Sequence, residues 1–349
     1  MIQGNKKLES EYRNLQIDSS SSLKEFALNR KKYYKRYFLN EKVEDEEDNK
    51  SATMGVLVEI LLLEPDRFEE KFHMSSLAKA PTGKMLDFCN ALVNITLQST
   101  DESGNITKTF EEMATEARTL AQFDWSLKVI LDKFVGKDPE IYYKESREVK
   151  SKGLTIVTTQ DVTNAEKIVE ELKTNEFISP IINLITSDNY EVFNQLQIEG
   201  YEIDELPLKS MIDRVIISHK DKTITPYDLK CVWSIEGFFQ DYYLYRLSYI
   251  QAYLYREACY KLKQDLGLEY YKVENLKFIV VDSINYFHPL VYTLDSDDMD
   301  DAYNGFEYRG KKYPGVKEII KDLIWAKETG KWNISRKNYE NGGFCNIKG

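Results

Sequence analysis

The order of apolar and polar positions divides the chain into a mainly helical first half and a second half that holds the strands. Ser22-Leu23-Lys24-Glu25 places a serine three positions before a glutamate, a capping-box pattern that predicts a helix running to about Phe38. Residues 52–63 predict a largely buried helix, and the segments near 84–98, 108–122 and 162–187 repeat the helical spacing. From about Asn189 the period changes to two. Residues 191–201, 208–219 and 223–232 alternate as the strands of a meander, with Lys220-Asp221-Lys222 as the turn between the last two. A long aromatic-rich helix is expected over about 238–266, then strands at 278–281 and near 290–294, and a helix near 316–329 that packs back on the core. No internal repeat interrupts this order.

Composition narrows the class. The chain has 349 residues, 42% of them hydrophobic and 13% aromatic, enough for a core of one large or two small domains. The longest apolar run, residues 56–63, is broken by Glu59, so no segment spans a bilayer. Asn5, Lys6, Lys7 and Glu9 stand where a secretory signal would be apolar, which predicts a cytosolic location. Residues 1–18 are polar and predict a loosely ordered, flexible N-terminus. The acidic run 44–48 reads as a surface loop. The acidic stretch 295–301 lacks the glycine and terminal glutamate of a calcium loop and reads as a solvated one.

Cys89, Cys231, Cys259 and Cys345 form no CxxC pair, which argues against a zinc ribbon, an iron-sulfur cluster or a disulfide framework. His73, His219 and His288 are too scattered for a zinc site. Metal chemistry, if present, rests on carboxylates. A net charge of −11 argues against a protein that coats nucleic acid non-specifically, because that mode needs many cationic phosphate contacts. It leaves room for positive charge confined to one groove. The predicted first helix interleaves Arg30, Lys31, Lys32, Lys35 and Arg36 with Tyr33, Tyr34 and Tyr37, as a phosphate-gripping element or a solvated amphipathic face would.

The central chemical signal is Ile212-Asp213-Arg214-Val215, the hairpin, and Tyr227-Asp228-Leu229-Lys230. Residues two apart on a strand share a face, so Asp228 and Lys230 project together while Asp213 reaches the same point from the antiparallel neighbour. Two carboxylates and an amine suit phosphodiester hydrolysis: Asp213 and Asp228 ligate Mg²⁺ with the Leu229 carbonyl, and Lys230 orients the attacking water and offsets negative charge. A carboxylate two positions before a lysine occurs five times, starting at Asp48, Glu69, Glu148, Glu171 and Asp228. Only Asp228 follows a hairpin whose other arm bears an apolar-flanked aspartate. Gln251 and Tyr255, four apart, share one face of the next helix, where they serve either as core residues or as holders of a DNA strand or of water. Glu59 is costly to bury unpaired, so it takes a metal or arginine partner or lies on an exposed helix face.

These residues resemble a known family. A serine-rich helix start (19–26), a GxxxE helix (Gly55 to Glu59) ending in Leu63-Glu64-Pro65, the I-D-R-V hairpin, the D-L-K strand, the aromatic segment 242–246 and the QxxxY pair Gln251 and Tyr255 follow the order found in RecE-type and RecB-like exonucleases of the PD-(D/E)xK superfamily. The resemblance covers about 19–65 and 205–285; residues 75–190 match nothing nameable.

What the resemblance implies is an α/β fold: a PD-(D/E)xK nuclease core of mixed β-sheet flanked by helices, with a helical N-terminal extension. The expected organisation is a flexible 1–18, a mainly helical 19–188 holding the first active-site helix, a nuclease meander, QxxxY helix and core strand over 189–294, and a C-terminal loop and helix over 295–349. Glu59 takes a metal-proximal role on its helix, Asp213 and Asp228 ligate metal, Lys230 is the catalytic lysine, and Gln251 and Tyr255 complete the site. Arg30 is expected to grip a terminal phosphate, with Ser22, Lys31 and Arg214 as further candidate DNA contacts. The implied cofactor is Mg²⁺, with Mn²⁺ substituting and no iron-sulfur cluster. Implied partners are double-stranded DNA ends, a single-strand annealing protein and other copies in a ring, in the cytoplasm of a bacterial host. An endonuclease or defence nuclease, or an inactive nuclease-fold scaffold, are the other readings of the same residues. On the strand before the hairpin, where some relatives carry an extra acid, Gln195 or Gln197 stands instead.

Overall fold

The computed structural model describes residues 7–41, 50–284 and 288–345. The acidic run 44–48 therefore lies outside the described residues. The chain forms two compact units, Met1–Ser51 with Glu171–Gly349, and Ala52–Glu170. The first contains the whole of the large sheet.

Its N-terminal segment is helical and docked: α1 (Glu9–Asn14), α2 (Ser20–Leu28) and α3 (Arg30–Tyr33), followed by a π-helical turn at Tyr34–Phe38. The expectation of a loosely ordered N-terminus is corrected over residues 7–18, for a reason invisible in local composition. Lys209, only 6% exposed, aims its ammonium at the carbonyls of Tyr12, Arg13 and Leu15 at the end of α1, 2.8, 3.0 and 2.8 Å away. Three N–H donors meet three carbonyls at the helix end, where a cation is also favoured by the helix dipole. Asp18, equally buried, accepts from Ser22 Oγ, Tyr33 OH and Lys327 Nζ. The predicted single helix is in fact two. The capping box is three residues earlier, with Ser19 as N-cap and Ser22 as its reciprocal partner, and Asn29 caps the restart at α3.

The second unit begins with α4 (Lys50–Leu63) and contains α5 (Phe68–Lys71), α6 (Lys84–Gln98), α7 (Phe110–Leu120), α8 (Leu127–Phe134), α9 (Asp138–Ser151) and α10 (Thr159–Thr174), the last running out of it. Strands β1 (Phe72–Met74) and β2 (Thr155–Val157) pair in parallel. Its core gathers Phe88, Leu92, Ile130 and Phe134 from α6 and α8.

The first unit resumes at Glu171 and runs through α11 (Ser179–Ile182) into β3 (Tyr190–Ile203), β4 (Leu206–Ser218), β5 (Thr223–Val232), β6 (Lys272–Val273), β7 (Lys277–Asp282) and β8 (Leu290–Tyr292). The sheet order is β3-β4-β5-β7-β8, with β6 also pairing β5. Strands β3, β4 and β5 form the expected antiparallel meander; β7 joins β5 in parallel and β8 returns antiparallel, so the sheet is mixed. The β3–β4 turn uses Asp204 and Glu205, both with positive φ, as a two-residue hairpin of this hand requires.

The crossover from β5 to β7 contains a π-helical segment, Phe239–Tyr245, then α12 (Ser248–Asp265). The uninterrupted helix expected over 238–266 is thus broken at Leu247, which adopts φ +54° with no glycine or proline to announce it. The buried residues of α12 include Ile250, Gln251, Leu254, Tyr255, Ala258, Cys259 and Leu262, a wide stripe that seats it against the sheet. The acidic stretch 295–301 is not a loop: Asp295 and Asp298 form a capping box that starts α13 (Ser296–Asn304), with carboxylates at the favourable end of the dipole. Strands β9 (Phe306–Tyr308) and β10 (Lys311–Tyr313), α14 (Val316–Thr329) and α15 (Arg336–Glu340) complete the unit. Among the described residues no helix is long and apolar enough to cross a membrane.

Candidate functional site

In the β4–β5 ladder Arg214 lies opposite Tyr227, the last pair in register. One step further the same register sets Asp213 opposite Asp228, and residues directly opposite on antiparallel strands share a face. Here the ladder stops. Instead of a backbone bond between strands, Asp213 Oδ2 accepts from the amide of Leu229 at 2.9 Å. On the far side of β4, the β3 register puts Gln195 opposite Asp213, between the pairs Asn194–Arg214 and Leu196–Ile212. Gln195 has φ +49° and is buried. Gln197 is engaged elsewhere, exchanging hydrogen bonds with the backbone of Lys7.

Asp228 is 1% exposed. Its Oδ1 accepts from Gln251 Nε2 at 2.6 Å, and its Oδ2 lies 2.5 Å from Lys230 Nζ as an ion pair. That oxygen has no partner at hydrogen-bonding angles, so the contact is coulombic rather than directional. Burying a carboxylate this deeply is tolerable only because an ammonium sits against it.

Gln251 organises the rest. While its amide N–H holds Asp228, its Oε1 accepts from Lys230 Nζ and from Lys24 Nζ, each at 3.3 Å. An amide can serve both sides because it carries donors and an acceptor on one plane. Lys24 comes from α2, 227 residues away, and nothing in its local spacing distinguishes it from the other charged residues of its segment. Burial first, and then the neighbouring charge of Lys230, push the Lys24 ammonium down to about 8, against the pull of Asp228; Arg246 lowers it further.

The structure thus gathers Asp213, Asp228, Leu229, Lys230 and Gln251 at one end of the β4–β5 ladder. Tyr255, one turn along α12, faces the same sheet but reaches its backbone: its hydroxyl donates to the Met211 carbonyl at 2.7 Å, two residues before Asp213. Gln251 and Tyr255 are both 6% exposed and look inward, so they position the site rather than present a surface to a ligand. Glu59 stands half-buried on α4, in the other unit.

Two expected contact residues are corrected. Arg214 is 4% exposed and projects away from the Asp213 face; its guanidinium donates to Asn194 Oδ1 and to the carbonyls of Ile182 and Leu184 at the end of α11. Burial lowers it to about 10. Ser22, 1% exposed, spends its hydroxyl on Asp18 and on the capping box. Arg30 is also engaged, paired with Asp322, donating to the Ile334 carbonyl and lying 4.4 Å above the Phe26 ring, whereas Lys31 is exposed.

The atoms that could ligate a metal here, the carboxylates of Asp213 and Asp228 and the Leu229 carbonyl, are all oxygens. Among the described residues no three acidic, histidine or cysteine side chains converge as a ready cage. Two carboxylates with a strand carbonyl suit a sparsely ligated hard cation, which characteristically takes one or two carboxylates and completes its shell from water and phosphate oxygens. The buried Asp228 Oδ2, without a directional partner, is the atom such an ion would satisfy.

No protein-family model matches the chain, and a search of curated proteins returns no match. Among solved structures, a crystal structure of a candidate exonuclease from Eubacterium rectale is similar, with 13% identity, a TM-score of 0.43, and coverage of 98% of this chain and 89% of that one. A TM-score below 0.5 does not establish a shared fold, and the chemistry of the site stands on its own geometry.

Proposed function

We propose that this chain is a Mg²⁺-dependent nuclease that hydrolyses DNA phosphodiester bonds at the Asp213–Asp228–Lys230 site. The observation that supports this reading most is the pairing of a buried aspartate with a lysine two residues along the same strand, next to a second aspartate at the point where the ladder opens. Asp213, Asp228 and the Leu229 carbonyl would hold the ion, with Mn²⁺ as a substitute; when bound, it would acidify a water and draw charge from the phosphate. The Leu229 amide keeps the Asp213 carboxylate aimed into the gap between strands. Lys230 offsets negative charge on the phosphate and orients the attacking water. Gln251 fixes both Asp228 and Lys230, and Tyr255 fixes the strand that bears Asp213. Glu59 is retained as a metal-proximal carboxylate on the resemblance alone, as is Lys31 as a phosphate contact.

The same resemblance to RecE-type and RecB-like enzymes of the PD-(D/E)xK superfamily extends the proposal to a cytosolic exonuclease that resects double-stranded ends, alongside a single-strand annealing protein and as a ring of copies. Incubation with linear, closed circular and single-stranded DNA, in Mg²⁺ and in EDTA, tests the whole. Degradation of linear duplex in Mg²⁺, with the circle spared, is expected. Cutting of the circle replaces the exonuclease by an endonuclease, and equal cutting in excess EDTA overturns the metal-dependent mechanism.

A further inference from the structure

Lys24 has no role in the reaction as proposed so far, yet it reaches the centre of the site. Its Nζ and that of Lys230 each lie 3.3 Å from the same Gln251 oxygen, so the two ammonium groups are no more than twice that distance apart. Among the described residues Lys24 pairs with no carboxylate, and Gln251, a neutral acceptor, is its hydrogen-bond partner. Asp228 is already shared between Lys230 and the Gln251 amide. Lys24 and Lys230 converge on one amide oxygen, and the carboxylates of the site, Asp228 and Asp213, are engaged with Lys230, Gln251 and the Leu229 amide, so among the described residues Lys24 itself has no anion in direct contact. A desolvated ammonium held by one neutral hydrogen bond is costly unless something anionic completes it. As an ammonium it has three N–H donors and uses one of them here.

We infer that Lys24 and Lys230 together grip one phosphate of the nucleic-acid strand at the site, with Lys24 holding a non-bridging oxygen and Gln251 setting the spacing of the two ammonium groups. This inference rests on the nuclease reading and adds to it a residue from the N-terminal helix. The pairing gives a role to a lysine in the middle of α2 that, among the described residues, touches no carboxylate: its charge is neutralised by the strand. It also gives the anionic chain a local positive point without a broad basic surface, consistent with its net charge of −11.

The test is binding in EDTA, where the ion and cleavage play no part. Fluorescence anisotropy of a duplex oligonucleotide is titrated from low to moderate salt with wild type, Lys24→Met and Lys24→Arg. Each phosphate neutralised adds about 0.9 to the slope of log affinity against log salt on duplex DNA. Lys24→Met is expected to flatten the slope by about one such step and weaken binding several-fold at low salt, and Lys24→Arg to restore the slope. A purely structural lysine would lower the melting temperature and leave the slope alone. As a readout that needs no variant, Lys24 in wild type is expected to be protected from an amine-acetylating reagent by the oligonucleotide. A wild-type slope in Lys24→Met, or unprotected Lys24 in the complex, overturns the inference while the nuclease reading stands. Wild type that neither binds nor cuts any nucleic acid overturns both.

Discussion

The amide of Gln251 donates to the buried carboxylate of Asp228 at 2.6 Å while its carbonyl oxygen receives Lys230 and Lys24. One neutral side chain on α12 thereby fixes the positions of an acid on β5 and two bases from separate elements. Replacing it with leucine keeps the bulk and removes every one of these bonds. Gln251→Leu is expected to lose about 1–3 kcal/mol of stability, the cost of leaving a buried polar partner unsatisfied, and to cut roughly tenfold more slowly with KM little changed. Urea unfolding and steady-state cleavage measure the two separately; unchanged values in both would remove Gln251 from the site.

For Asp228, the amide of asparagine preserves size but removes the charge that would hold the ion. Cleavage by Asp228→Asn should fall at least about a hundredfold, since metal-ion catalysis supplies several kcal/mol and each 1.4 is tenfold. DNA binding should hold, with Asp228→Asn in Mg²⁺ binding at least as tightly as wild type in EDTA, because one charge repelling the phosphates is gone. A variant that cuts at near wild-type rate would refute the ligand role.

The Lys24 ammonium, pushed down to about 8, gives a pH signature in the free protein. Between about pH 8 and the ordinary lysine value near 10.4, the unfolded chain binds this proton more tightly than the folded one, so stability rises with pH across that window. Below about pH 8 both states are protonated and the penalty is constant. The difference in unfolding free energy between wild type and Lys24→Met is therefore expected to shift in favour of wild type from pH 7.5 to 9.5. A flat difference would show that Lys24 is not desolvated.

Lys209 holds α1 against β4 through three carbonyls. Its replacement by methionine keeps the apolar stem and strips the donors. The expected result is a loss of about 1–3 kcal/mol and faster proteolysis within residues 7–18, read by mass spectrometry of limited digests. An unchanged digestion rate would mean that Tyr12 packing alone secures the segment.

Burial pushes the Cys89 thiol up to about 12 and that of Cys231 up to about 11, and raises Cys259 further, whereas Cys345 is exposed. Since the thiolate is the nucleophile, an alkylating reagent at pH 8 should modify Cys345 alone in the native chain and all four only after unfolding. Rapid labelling of Cys231 in the folded protein would indicate that the strand edge near Lys230 opens.

What the sequence determined by itself is whatever local spacing encodes. The two-residue period located β3, β4 and β5 to within a residue or two, the turn at Lys220-Asp221-Lys222 fixed their pairing, and that pairing brought Asp213 and Asp228 to one place. The helix at 316–329 followed equally from its apolar stripe. Tertiary structure decided what depends on partners distant in the chain. Arg214 is adjacent to Asp213 in sequence yet lies on the other face of β4, since neighbours on a strand point oppositely, and there it caps the end of α11. Arg30 read as a surface contact because its acceptor, Asp322, becomes a neighbour only when α3 and α14 pack, whereas Ser22 is spent locally, on Ser19 and Asp18, because the helix starts three residues earlier than its spacing predicts. Residues 7–18 looked unstructured because the ammonium that orders them comes from Lys209. Lys24 had no local mark at all: a lysine on a helix becomes a site residue only when α12 delivers Gln251 to the same point, and that meeting is set by long-range packing rather than by the residues on either side of it.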